Sequence, residues 1–190
     1  MRWDALFDDL EAQFAAENRL GHETEISERA RIETAGVELS DRLRGSAGSQ
    51  IGVVLGSGTL VRGGLAHVGS EWLVLNEGMH QWLVPFAAVA SYQGLGRLAQ
   101  GVRSKTEVKL GLASALRGLA RDRVELAVHL ISAPGREQQL GGVIDRVGRD
   151  HFDLAVLAPG EVRRAGNVSS VMTVPFASLA ALRSLRTERM

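Results

Sequence analysis

Leu83–Ala90 reads LVPFAAVA, and ninety residues further on Thr173–Ala180 reads TVPFASLA, each time after an apolar run. In both, valine ends a strand on its core side. Proline then stops further ladder pairing, because it carries no N–H. Phenylalanine plugs one end of the fold, and the following AVASY or SLAAL is a short helical turn running into a closing strand. The residues upstream repeat as well. Val61–Leu75 is VRGGLAHVGSEWLVL and Leu140–Leu154 is LGGVIDRVGRDHFDL. Each has a glycine where a strand must bend, then Val-Gly at a turn, then an alternating strand. The second copy inserts eleven residues around APGEVRRAGN before its Val-Pro-Phe-Ala. One β module is therefore written twice.

Strand periodicity agrees. IGVVL, TLVRGGLAHV, EWLVLN and QWLVPF are separated by turn signals at Gly56-Ser57-Gly58, Gly69-Ser70 and Asn76-Glu77-Gly78. VELAVHLI, QQLGGVID, HFDLAVL and SSVMTVPF form the second set, which finishes with LAALRSL. Short strands about ten residues apart predict a small antiparallel barrel or sandwich.

The strand order, the mid-strand glycine and the closing turn resemble the Sm-like small β-barrel, over about 51–95 and again over 124–185. That resemblance implies five strongly bent strands, the second curved at a glycine and the fifth short. The whole chain is similar to actinobacterial proteins in which an N-terminal helix precedes two such modules separated by LGLASALRGLARDR, here Leu110–Arg123. Sm-like proteins often bind RNA through loops near strands three and five. The Arg-Gly pair expected before the last strand is replaced by Ala90-Ser91-Tyr92 and by Ala180-Ala181-Leu182. This departure argues against RNA binding at the usual ring surface.

Outside the modules the pattern is helical. Trp3, Phe7, Leu10 and Phe14 form an apolar stripe, with Asp4, Asp8, Asp9 and Glu11 near the positive end of the helix dipole. Ile32, Val37, Leu39 and Leu43 form a second stripe. Gly21 leaves two readings, a hairpin bent there or one helix of roughly 40 residues and 60 Å; the long helix is preferred, since neither proline nor a second glycine adjoins Gly21. Such a helix cannot bury its stripe on a small domain, so it predicts pairing with a second copy, a dimer first. Gly101–Asp122 also reads as helix, with Val108, Leu110, Leu112, Leu116 and Leu119 apolar and Ser104 as cap. The expectation is an α+β chain with four parts. These are a long N-terminal helix (1–45), a first Sm-like antiparallel β-barrel (50–95), a basic connecting helix (96–123) and a second barrel (124–190).

The composition of the 190 residues narrows function. Lysine plus arginine equals aspartate plus glutamate at 22 each, so the whole molecule has no general attraction for nucleic acid or anionic membrane. The balance conceals a segment of −5 over Met1–Arg44 (11 acids, 6 bases) and one of +5 over Leu95–Arg123 (7 bases, 2 acids). There is no cysteine, which removes disulfides and thiolate chemistry. The acidic amphipathic start is unlike a signal peptide, and no run approaches the roughly 20 apolar residues of a membrane span. A cytoplasmic soluble protein is expected.

Motifs for chemistry fall short. Gly56-x-Gly58 after a strand invites a dinucleotide reading, but Val61 stands at the third glycine and a strand follows. No serine lies in G-x-S-x-G. His22, His67, His80, His129 and His151 show no paired ligand spacing, and alternation places Asp150 and His151 on opposite faces. No catalytic residue, metal or cofactor is expected. Arg103, Lys105, Lys109, Arg117, Arg121 and Arg123 offer phosphate contacts or, as the matched −5 and +5 favour, a complement to the acidic N-terminal segment within the chain or across a dimer. Trp72 and Trp82, replaced in the second copy by His151 and Thr173, are a binding platform if exposed and core if buried. The leading expectation is a non-catalytic cytosolic adaptor or regulatory protein that self-associates through Trp3, Phe7, Leu10 and Phe14. It would bind a protein partner through its tandem modules. The alternative is an RNA- or DNA-binding regulator using the connecting helix and the tryptophans.

Overall fold

The computed structural model describes residues 35–101, 110–133, 136–157 and 167–185. From Leu39 onward they belong to one compact unit. A short helix, α1 (Leu39–Gly45), leads into β1 (Gln50–Leu55), β2 (Leu60–Val68), β3 (Trp72–Glu77), β4 (His80–Pro85) and β5 (Val89–Gln93). A second helix, α2 (Leu112–Arg121), precedes β6 (Glu125–Ala133), β7 (Arg136–Val147), β8 (His151–Leu157), β9 (Val168–Pro175) and β10 (Leu179–Ser184). All ten strands join one antiparallel sheet in the order β5-β1-β2-β3-β4-β10-β6-β7-β8-β9. Each half arranges its own strands fifth, first, second, third, fourth, and the halves meet where β4 pairs with β10.

The duplicated turn has a common mechanism. Val84 and Val174 are buried at the strand ends, and Pro85 and Pro175 close the ladders. The next N–H, that of Phe86 or Phe176, donates to the carbonyl of Glu71 (2.9 Å) or Asp150 (2.8 Å) in the turn across the sheet. A 3₁₀ turn follows in each half, Phe86–Ala88 and Phe176–Ser178, and delivers the chain to β5 or β10. The mid-strand glycines are equally matched. A Cβ at Gly63 would lie 2.4 Å from the Asn76 carbonyl oxygen, and one at Gly142 would lie 2.3 Å from that of Ala155. Only glycine lets β2 and β7 approach their neighbours this closely where they bend.

Two apolar clusters form the interior, and each recruits residues from the other half. The first-half cluster contains Ile51, Val53, Leu55, Leu73 and Trp82, together with Ala180 and Ala181 of β10. The second-half cluster contains Leu126, Val128, Phe152 and Leu154, together with Trp72 and Leu83 of the first half. Helix α2 covers this second cluster with Leu112 and Leu116. Its first turn is capped from the first half, where the Glu71 carboxylate accepts the Leu112 N–H at 2.7 Å, placing negative charge at the helix's positive end.

The architecture corrects the sequence-based expectation in three ways. Two separate barrels joined by a helix are replaced by a single ten-stranded sheet, because the apolar edges β4 and β10 cover each other. No long N-terminal helix exists among the described residues. Gly36 is a turn residue, residues 37 and 38 are non-helical, and α1 begins only at Leu39. Residues 1–34, with Trp3, Phe7, Leu10, Phe14 and Gly21, lie outside the described residues. The connecting helix is shorter than expected as well. Residues 94–101, which carry Gly94, Gly96 and Gly101, form no helix, and α2 starts at Leu112. Ser104 lies outside the described residues.

Candidate functional site at the seam between the two halves

The seam ladder is short. Leu83 opposes Leu182 and Trp82 opposes Arg183, after which side chains take over from backbone. The Gln81 N–H donates to the Ser184 hydroxyl at 2.8 Å, and His80 Nδ1 donates to the Ser184 carbonyl at 2.9 Å. Where the strands part, a pocket of about 280 Å³ opens beneath the end of α2. Val74 and Leu83 of the first half wall it on one side, with Leu126, Leu182 and Leu119 of the second half on the other. Gln81, Asp122 and Ser184 add polar groups.

Alternation turns Trp82 and His129 away from Leu83 and Val128, to the opposite face. There a polar chain stitches the halves together. The β1–β2 hairpin supplies Ser57 and Thr59, whose hydroxyls donate to Glu137 Oε2 at 2.6 and 2.9 Å. The other carboxylate oxygen accepts from His129 Nδ1, since an ionised carboxylate only accepts. The imidazole lies against Trp82, with ring centroids 5.0 Å apart, and its Nε2 is buried without a hydrogen-bond partner. Trp82 in turn donates its indole N–H to Glu77 (2.7 Å), and the Arg183 guanidinium sits 5.6 Å from its ring centre, a cation–π distance. Burial pushes the Glu137 carboxyl up, but hydrogen bonds from Ser57, His129 and Thr59 and the attraction of His129 outweigh burial. The group is held below the usual carboxylate range.

Among the residues anticipated as contacts, Trp72 and Trp82 are buried, at 8% and 6% exposure, so no aromatic platform is presented. The register also matches Trp82 with Met172 rather than Thr173, since Leu75 pairs with Trp82 and Leu154 with Met172. Arg117, Arg121 and Arg123 are exposed on and just after α2. Arg117 reaches the Gly148 carbonyl at 3.3 Å, and Arg121 pairs with Asp122 at 3.2 Å. Arg103, Lys105 and Lys109 lie outside the described residues. Asp150 and His151 do meet, at 2.8 Å, because Asp150 sits in the turn before β8 rather than in the strand. That hydrogen bond, above all, holds the exposed Asp150 carboxyl below its usual range. The Ser57–Glu137–His129 connection escaped sequence reasoning, because it joins residues about 80 apart in ordinary hairpin and strand positions.

Comparison with protein families, with curated proteins and with solved structures finds no match to this chain. Among the described residues no helix is long and apolar enough to cross a membrane. The same residues hold no group of three or more His, Cys, Asp or Glu arranged for a metal ion.

Proposed function

We propose that the chain is a non-catalytic, cytoplasmic adaptor or regulatory protein that self-associates and binds a protein partner. The observation that carries this reading is the apolar pocket at the seam. It is walled by both halves and takes its shape from their junction, and its size suits an apolar side chain anchoring a partner. Self-association rests on the Trp3, Phe7, Leu10 and Phe14 stripe; alanine at Phe7 and Leu10 should then lower the mass seen by light scattering. Kinship with the Sm-like family is likewise a proposal, supported by the glycine bends in β2 and β7 and by the short β5.

The test is affinity purification from the native host with and without nuclease, using wild type and Leu119→Glu in the pocket wall. A protein whose recovery survives nuclease and fails with the variant supports the reading. Recovery indifferent to Leu119→Glu contradicts it. A second reading, nucleic-acid binding, is favoured by the exposed Arg117, Arg121 and Arg123, although the buried tryptophans remove its aromatic component. It predicts affinity that falls steeply with salt and weakens on removal of Arg117 and Arg121. Flat low-salt titrations of generic RNA and duplex DNA would dispose of it.

A further inference from the structure

We draw no further inference here: the strongest candidate, the cluster of Ser57, Thr59, His129 and Glu137 under the β1–β2 hairpin, belongs to the site already described, its donors are taken up by the Glu137 carboxylate, and its unpartnered atom, His129 Nε2, is buried beyond the reach of a ligand.

Discussion

The inner seam and the two outer edges of the sheet are built from equivalent positions of the same module, yet they carry opposite chemistry. At the seam, Leu83 on β4 meets Leu182 on β10, with Val74 beside them. At the outer strand β9 the equivalents of Leu83 and Val74 are Thr173 and Asp153, which pair with each other, and the Thr173 hydroxyl donates to Asp153 at 2.7 Å. At the outer strand β5 the equivalents of Ala181, Leu182 and Ser184 are Ser91, Tyr92 and Gly94. The serine that satisfies Gln81 across the seam is thus absent from the outer edge. Burial pushes the Tyr92 phenol up to about 12, and its hydroxyl has no partner. A duplicated module brings duplicated edges, and an apolar edge invites further pairing. At the positions equivalent to the Leu83–Leu182 junction, the chain thus keeps leucine at the seam and places threonine, aspartate and serine among the outer-edge residues.

Exchanging these chemistries should break the comparison most strongly at the seam. Leu83→Thr gives the seam the residue of the outer edge, and should cost about 3 kcal/mol in urea denaturation, combining lost packing with a buried hydroxyl. Glu137→Ala should follow at about 2 kcal/mol near pH 7, because it strips His129, Ser57 and Thr59 of one shared acceptor. Its pH dependence has a definite sign. The folded carboxyl titrates below its unfolded value, so its contribution is complete above the unfolded value and lost as pH falls through the folded one. The stability gap between wild type and Glu137→Gln should therefore hold from pH 7 to about 5 and close on further acidification.

Two matched glycines sharpen the contrast at smaller amplitude. A Cβ at Gly69 would lie 2.3 Å from the Trp72 ring, and one at Gly148 would lie 2.5 Å from the His151 ring. Trp72 is locked in the second-half core, whereas the His151 side chain is 45% exposed and held only by its surface hydrogen bond to Asp150, so it can turn outward at small cost. Gly69→Ala should cost about 2 kcal/mol and Gly148→Ala less than about 1. Thr173→Leu, the reverse of the seam exchange, should change stability by no more than about 0.5 kcal/mol. It should, however, raise self-association at high concentration, read by sedimentation.

What was legible in the sequence was local. The duplicated Val-Pro-Phe-Ala, the bending glycines and the strand periodicity placed the β elements and their repetition, because each rests on backbone chemistry within a few residues. The joining of the halves was not legible. Nothing in LVPF and LAAL, read separately, announces that two apolar edges will find each other across about 100 residues of chain. The helices were overextended because Val108, Leu110 and Leu112 continue the spacing of Leu116 and Leu119, while only Leu112 onward is helical among the described residues. The site depended wholly on tertiary placement. Glu137 gave no sign of reaching the β1–β2 hairpin, and the tryptophans offered as a surface are core.

The central claim is that the two halves are one cooperative structure held by a single seam. Native-state hydrogen exchange of the full chain at increasing urea tests it most directly, comparing amides of Val53 and Leu73 in the first core with those of Val128 and Leu154 in the second. The account predicts that all four merge onto one unfolding isotherm, and that Leu83→Thr lowers them equally. Two isotherms with different free energies, only one of them moved by Leu83→Thr, would contradict it.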